Sequence, residues 1–152
     1  MKYWLMKSEP DVFSIDDLKK HKTTLWEGVR NFQARNFMSQ SMSLGDLVLF
    51  YHSNAEPPGI AGIAKVSKLA QPDPTQFDKK SDYFDKRATL QKPLWFCVEV
   101  AFVKKFKTLL PLETLKNTPE LQDMLVIKKG QRLSIQPVTE KDYQWILKLT
   151  QM

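Results

Sequence analysis

The residues best suited to chemistry lie in one stretch, Trp26 to Asn54. Trp26 offers a large flat surface, and Arg30 and Asn31 offer hydrogen-bonding groups just before a short helical pattern. After an apolar run, the stretch ends on Tyr51, His52, Ser53 and Asn54. A strand end that faces a helix start brings backbone donors, an aromatic platform and side-chain donors together. The stretch therefore predicts a pocket for a planar ligand, and the ligand we expect is a chemically modified nucleobase.

Each of these residues also has a purely structural interpretation. Trp26 is either a core aromatic or a platform for base stacking, which contributes roughly 1–3 kcal/mol per base. Arg30 is either solvated or paired at the surface, or it holds a phosphate or carboxylate. Asn31 is expected to cap the helix that follows it. His52 is either a satisfied strand-end histidine or a donor to a base edge or phosphate, titrating near neutral pH.

The sequence lacks the patterns of several other kinds of site. His21, His52 and Cys97 are scattered without the spacing of metal ligands, and a structural zinc site takes four. The five glycines form neither a phosphate-binding loop nor a dinucleotide-binding fingerprint. Ser8 and Ser53 do not lie in a nucleophile elbow. We therefore expect neither a metal nor a cofactor.

The charge of the chain favours an anionic partner such as nucleic acid. The formal net charge is +6 and the isoelectric point is about 9.4. Residues 26–53 have two positive and two negative side chains, whereas residues 94–132 have seven positive and four negative. We therefore expect phosphate contacts to come largely from outside the first stretch. The candidates, whose structural alternative is a solvated surface, are Lys104, Lys105, Lys107, Lys128 and Lys129.

Length and composition predict a single globular domain over residues 1–152, with 42% hydrophobic and 26% charged residues. The single cysteine, Cys97, excludes an internal disulfide and suits a reducing compartment. Only four apolar residues separate Lys2 from Lys7, too few for a signal peptide. The longest apolar run, residues 94–103, is far shorter than the roughly 20 residues of a membrane-spanning helix. We expect a soluble cytoplasmic protein with no membrane partner.

Short strands and helices must position the candidate residues. The strongest predicted strand is Leu94–Lys105, with Phe96, Val98 and Val100 inward and Trp95 and Cys97 outward. The other predicted strands are Lys2–Lys7, Leu47–His52, Gly59–Leu69 and Leu133–Gln136. Caps and periodicity predict helices at Ile15–Lys20, Phe32–Met38, Pro111–Lys116 and Glu140–Leu149, with a further helical turn at Glu120–Met124.

The segments between these elements also carry expectations. Small residues in Gly59–Leu69 predict a close backbone approach or a bulge. Residues 23–29 are expected to form a connector, and residues 71–93 a long ordered loop with one helical turn. Since strands outnumber long helices, the pattern predicts an α+β domain around a small, partly closed barrel.

Several short motifs together resemble the EVE domain family of the PUA-like superfamily. The resemblance covers nearly the whole chain in order. Its motifs are Tyr3-Trp4-Leu5-Met6-Lys7-Ser8-Glu9-Pro10, Trp26-Glu27-Gly28-Val29-Arg30-Asn31, Gln33-Ala34-Arg35-Asn36, Gly45-Asp46, Tyr51-His52-Ser53-Asn54, Pro58-Gly59-Ile60-Ala61-Gly62, Pro72-Asp73-Pro74 and Arg132-Leu133-Ser134-Ile135-Gln136-Pro137.

This resemblance implies a PUA-like small mixed β-barrel surrounded by short helices, with a pocket for modified bases of DNA or RNA. Its YTH relatives hold a methylated adenine in an aromatic cage. Carried over to the matching positions, the implied pocket residues are Trp26, Val29, Arg30, Asn31, Tyr51, His52 and Ser53. The implied neighbours of the pocket are Lys7, Ser8, Arg132, Ser134 and Gln136.

We therefore expect a non-catalytic module that binds nucleic acid carrying a modified base. One alternative is an enzyme acting on a modified nucleotide or nucleoside, with His52 as acid or base and Glu9 or Glu27 orienting it. Another alternative is a protein-interaction module that uses the 71–93 loop.

Overall fold

The computed structural model describes residues 1–151 and shows one mixed six-stranded sheet. The strands are β1 Tyr3–Ser8, β2 Thr23–Leu25, β3 Leu47–His52, β4 Gly59–Pro72, β5 Phe96–Pro111 and β6 Ile135–Val138. Their order across the sheet is β2-β5-β4-β3-β1-β6. β1 and β3 are parallel, and the other neighbouring pairs are antiparallel. In the described residues no strand ladder joins β2 to β6, so the sheet is open.

Four short α-helices flank the sheet: α1 Ile15–His21, α2 Phe32–Asn36, α3 Leu112–Lys116 and α4 Glu140–Thr150. A π-helical turn, Phe37–Ser41, continues α2, and 3-10 turns lie at Pro74–Phe77, Pro119–Leu121 and Leu125–Ile127. Ser14, Asn31 and Thr139 cap α1, α2 and α4, because each side-chain oxygen accepts a backbone N–H from the first turn. The cap at Asn31 confirms the sequence prediction. The predicted α+β class is confirmed.

The two faces of the sheet carry two separate apolar clusters. One cluster lies under α1, α2 and the π-helical turn and includes Trp26 and Phe50. The other lies under α3 and α4 and includes Leu49 and Tyr51. Because successive strand residues point to opposite faces, β1 and β3 supply buried side chains to both clusters. Both faces of β1 are therefore covered.

The small residues of β4 allow a close approach to β5, as predicted. A Cβ at Gly62 would meet the backbone carbonyl oxygen of Lys104 and the side chain of Ile15. The β4–β5 register also shifts between Ile60 and Gly62, which is the irregularity expected of a bulge.

Two details of the sequence prediction are wrong. Residues 23–29 are not simply a connector, since Thr23–Leu25 pairs with β5 as the edge strand β2. Trp95 and Cys97 do not point outward; both are buried, at 3% and 0% exposure. Trp95 precedes β5, and register shifts along the β4–β5 ladder interrupt the regular two-residue alternation on which that prediction rested.

No helix within residues 1–151 combines the length and the apolar character that crossing a membrane requires.

Candidate functional site

A cavity of about 700 Å³ opens where β1 and β3 end. Because these strands are parallel and in register, Lys7 and Ser8 lie beside Tyr51 and His52 where the two strands end. The chain then leaves the sheet on both strands, and loops form the walls. The cavity-lining residues are Lys7, Ser8, Glu9, Val12, Phe13, Thr24, Leu25, Trp26, Glu27, Gly28, Val29, Arg30, Ser53, Thr75, Ser81, Tyr83, Arg132 and Ser134.

Trp26 packs into the core, as one of its sequence interpretations proposed, and it also lines the cavity. Its backbone N–H donates to the Val98 carbonyl oxygen at 2.9 Å, which extends the β2–β5 pairing by one residue. Its ring meets Phe50 edge-on, with 5.6 Å between ring centroids, and the residue is 8% exposed. Most of the indole therefore belongs to the core. The cavity nevertheless opens onto Trp26, so the site has an aromatic wall.

The buried carboxylate of Asp73 holds the Trp26–Arg30 segment in place. One oxygen accepts the Gly28 N–H at 2.8 Å and an Arg30 guanidinium N–H at 3.1 Å. The other oxygen accepts the Thr75 N–H at 2.8 Å and the Thr75 hydroxyl. Asp73 is 1% exposed. A single carboxylate thus joins two cavity walls that are about 45 residues apart in sequence.

The pKa of Asp73 results from opposing effects. Burial raises the pKa, but the hydrogen bonds from Thr75, Gly28 and Arg30 outweigh burial and hold it below its ordinary value. The ionised form is therefore stabilised in the folded protein. A carboxylate that accepts several hydrogen bonds in this way is a structural anchor rather than a free acid or base.

Arg30 lines the cavity, but its guanidinium is occupied. Besides Asp73, it donates to the carbonyl oxygens of Val29 and Tyr83 and to the Thr75 hydroxyl, at 2.7–3.2 Å. The guanidinium carbon lies 5.2 Å from the centre of the Trp95 ring. Arg30 therefore holds a carboxylate, as one sequence interpretation proposed, and that carboxylate belongs to the protein itself.

Gly28 permits the tight turn after Trp26. Its φ is +86°, a left-handed conformation that side chains disfavour, and a Cβ there would lie 2.7 Å from the Tyr83 ring. Tyr83 thus packs directly on the turn and lines the cavity.

The structure brings most of the expected site residues to this cavity. Those that line it are Lys7, Ser8, Trp26, Val29, Arg30, Ser53, Arg132 and Ser134. Backbone hydrogen bonds connect three of its segments: the Lys7 N–H donates to the Ser134 carbonyl at 2.9 Å, and the Ser53 N–H donates to the Ser8 carbonyl at 3.0 Å.

Four expected residues lie elsewhere. Asn31 caps α2 through the Ala34 N–H. Tyr51 is 3% exposed and faces the second apolar cluster, because it alternates with Phe50 and His52 on β3. His52 accepts the backbone N–H of Ile15 through Nε2 at 3.1 Å, which ties β3 to the start of α1. The fourth, Gln136, is 1% exposed and donates to the Leu133 carbonyl, which shapes the turn before β6.

Sequence reasoning missed the wall contributed by the 71–93 segment. Thr75, Ser81 and Tyr83 line the cavity, although this segment was expected to be a loop with a separate role. The Pro72-Asp73-Pro74 motif was the available signal, since it marks the residue that bonds to Gly28 and Arg30. Nothing in the local sequence marks Tyr83, which reaches the site through tertiary packing.

Three cations and two carboxylates line the cavity, and one of the cations, Arg30, is paired with Asp73. Among the described residues, no ion pair engages Lys7 or Arg132. Burial lowers the pKa of Lys7 below its ordinary value. Glu9 accepts a hydrogen bond from the Asn54 amide at 2.7 Å. Partial burial, and then the negative charge of Asp73, raise the pKa of the Glu27 carboxyl above its ordinary value.

Comparisons with known proteins agree on one family. The EVE domain model matches residues 2–149. Human thymocyte nuclear protein 1 is 43% identical over 166 residues, covering 97% of this chain and 73% of that protein. A hypothetical protein from Leishmania major has a TM-score of 0.94 at 51% identity, covering 99% of this chain and 95% of that one.

A further solved structure contains human THYN1 in complex with 5-methylcytosine-containing DNA. It has a TM-score of 0.91 at 43% identity, and the match covers 100% of this chain and 99% of that one. The PUA-like fold implied by the sequence motifs is thereby confirmed.

Replacing Asp73 with Asn tests the anchor. The amide would place its NH₂ group among donors and leave Arg30 without a countercharge, so we expect a loss of about 2–3 kcal/mol in the free energy of unfolding at pH 7. Because the folded-state pKa is depressed, the wild-type advantage exists above the unfolded pKa of about 4 and is lost as the pH falls through the folded value. Urea unfolding from pH 7 to pH 2.5 measures this difference.

The matched control is Asp123→Asn, since Asp123 is an exposed carboxylate. The free energy of unfolding of the Asp123→Asn protein should stay within about 0.5 kcal/mol of wild type. An Asp73→Asn protein as stable as wild type, or destabilised equally at every pH, would contradict the anchor role.

Proposed function

We propose that this chain, which belongs to the EVE domain family, is a non-catalytic module that binds a modified base of DNA or RNA. The base enters the cavity at the ends of β1 and β3 and lies against Trp26. The chain acts as one domain, with nucleic acid as its partner.

The observation that carries this proposal is the cavity that opens onto Trp26. Its volume of about 700 Å³ falls within the roughly 300–1,000 Å³ of ligand-binding pockets. Its walls combine an indole, hydroxyl groups and two cations that lack ion-pair partners among the described residues. This combination suits a flat polar heterocycle attached to a phosphate backbone.

The DNA complex of human THYN1 supports the choice of ligand. That protein shares the fold over the whole of this chain and was crystallised with 5-methylcytosine-containing DNA. We therefore propose 5-methylcytosine as the first modified base to test, in DNA before RNA.

Recognition requires that the base leave its stack. Unstacking costs a few kcal/mol, which one stacking contact of roughly 1–3 kcal/mol and hydrogen bonds to the base edge can offset. One buried methyl group contributes only about 1 kcal/mol. The preference for a methylated over an unmethylated base is therefore modest, about fivefold, unless the methyl group also changes another contact.

Phosphate contacts come from cations other than Arg30, since the Arg30 guanidinium is occupied by Asp73 and backbone carbonyls. Lys7 and Arg132 line the cavity itself. The exposed residues Lys128 and Lys129 lie just before Arg132 in the chain and extend the basic surface away from the cavity.

Neither alternative function gains comparable support. His52, the acid or base of the enzyme alternative, uses Nε2 to accept the Ile15 N–H, and burial, as the largest effect, lowers the pKa of His52. Glu9, one of its two expected partners, bonds to Asn54 instead. The 71–93 segment, expected to dock a protein, supplies Thr75 and Tyr83 to the cavity.

We also propose that the protein works in a reducing compartment, with the cytoplasm as the first choice. The single Cys97 is free and fully buried, and burial raises the pKa of its thiol to about 12. Such a thiol is protonated and inert, so the fold makes no use of an oxidised cysteine.

Replacing Trp26 tests the site. We expect Trp26→Ala to weaken binding of a single-stranded oligonucleotide with one central 5-methylcytosine by about tenfold or more, because a stacking contact is lost. Fluorescence anisotropy of the labelled oligonucleotide measures the affinity. Since Trp26 also packs on Phe50, Trp26→Phe serves as the conservative variant and should lose only a few-fold.

Trp145→Ala is the matched control, since Trp145 lies on α4 and packs against the second apolar cluster. It should bind the oligonucleotide as wild type does. A folded Trp26→Ala protein with unchanged affinity would refute the proposed site. Equal affinity of wild type for methylated and unmethylated oligonucleotides would refute the recognition of a modified base.

Arg132→Gln tests phosphate binding at the cavity. Affinity should fall by the same factor for methylated and unmethylated oligonucleotides, because a phosphate contact carries no base information. The slope of log affinity against log salt concentration should become less steep by about 0.7. Lys141→Gln, an exposed change on α4, should leave the slope unaltered. An unchanged slope for Arg132→Gln would exclude the phosphate contact.

A further inference from the structure

The cavity contains one acidic group that nothing in the fold uses. Glu27 lies between Trp26 and Gly28 and lines the cavity. Within residues 1–151, no ion pair engages its carboxylate. The other acidic residue of the cavity, Glu9, already accepts a hydrogen bond from Asn54. A carboxylate is unexpected in a site for a polyanion, because it repels the phosphate backbone.

No cationic side chain of the described residues forms an ion pair with the Glu27 carboxylate. Arg30, three residues further along the chain, is turned towards Asp73 and the Tyr83 carbonyl. The backbone at Glu27 is held by the Trp26–Val98 and Gly28–Asp73 hydrogen bonds on either side of it, and its side chain is exposed. The chain therefore presents a hydrogen-bond acceptor beside the aromatic wall and leaves it available to a ligand.

Base chemistry indicates what such an acceptor can distinguish. 5-Methylcytosine and thymine carry the same methyl group, so contact with the methyl group cannot separate them. They differ at the neighbouring position, where cytosine has an amino group that donates and thymine has a carbonyl oxygen that accepts. A carboxylate stabilises the first base and repels the second.

We infer that the Glu27 carboxylate accepts a hydrogen bond from the exocyclic amino group of the bound base, and so selects 5-methylcytosine over thymine. The inference rests on the proposed function, because it assigns a role within the same cavity.

The raised pKa of Glu27 agrees with this role. Partial burial is its first cause and the charge of Asp73 its second. Both effects disfavour the ionised carboxylate, and a hydrogen bond donated by the ligand opposes them.

Four single-stranded oligonucleotides that differ at one central base test the inference: cytosine, 5-methylcytosine, uracil and thymine. Single strands remove the pairing energies that would otherwise differ among the four. The ratio of 5-methylcytosine to cytosine affinities measures the methyl group. The ratio of 5-methylcytosine to thymine affinities measures the exchange of the amino group and the N3 acceptor for a carbonyl oxygen and an N3–H, and its change in Glu27→Gln measures the part that depends on Glu27. Both ratios are determined for wild type, Glu27→Gln and Glu9→Gln by fluorescence anisotropy.

We expect wild type to bind 5-methylcytosine at least tenfold more tightly than thymine. Glu27→Gln should reduce this ratio to about twofold, because an amide can also donate to the thymine carbonyl, and should leave the methyl ratio unchanged. Glu9→Gln removes the same charge from the same cavity. It should strengthen binding of all four oligonucleotides alike and keep the wild-type ratio of 5-methylcytosine to thymine affinities.

The outcomes separate the two proposals. If Glu27→Gln keeps the tenfold preference over thymine, or if Glu9→Gln loses it equally, the role of Glu27 is overturned. If wild type prefers both cytosines over uracil and thymine but ignores the methyl group, Glu27 is supported and the reading of a modified base is overturned. If wild type binds all four equally, both fail.

Discussion

The candidate site depends on one buried carboxylate. Asp73 accepts hydrogen bonds from Gly28, Arg30 and Thr75, and thereby fixes two loop segments against each other across the cavity. Loops usually move more than the strands they connect, so a site built from loops needs such a tie to keep its shape. The same interaction determines what Arg30 can do. An arginine that completes an internal network contributes to the shape of the site, which is why we propose Lys7 and Arg132 for phosphate binding.

The sheet supplies the rigid part of the site. β1 and β3 are parallel and end together, which places Lys7, Ser8 and Ser53 at one edge of a sheet whose two faces are both covered. Trp26 follows the edge strand β2 and continues its pairing with β5, so the indole is held by backbone hydrogen bonding as well as by packing. A residue can therefore belong to the core and still present a surface to a ligand. This double role makes a preorganised aromatic wall, which lowers the ordering cost of binding.

Sequence patterns predicted the elements better than the contacts between them. β3 was predicted with its observed bounds, Leu47–His52, because a run of β-forming residues between a turn and polar residues has few alternatives. The outward assignment of Trp95 and Cys97 was wrong, since bulges depend on how two strands pair and leave little trace in one of them. Within the site, the motifs indicated Trp26 and its neighbours. Tyr83 could not be predicted, because it reaches the cavity through contacts with the distant residues Gly28 and Arg30.

A flat base bound against Trp26 is the central claim, and a crystal structure of the chain with a short single-stranded oligonucleotide containing 5-methylcytosine tests it most directly. We expect electron density for one unstacked base inside the cavity, with its ring against the indole of Trp26 and its backbone passing Lys7 and Arg132. An oligonucleotide bound on another surface, with only water beside Trp26, would contradict it.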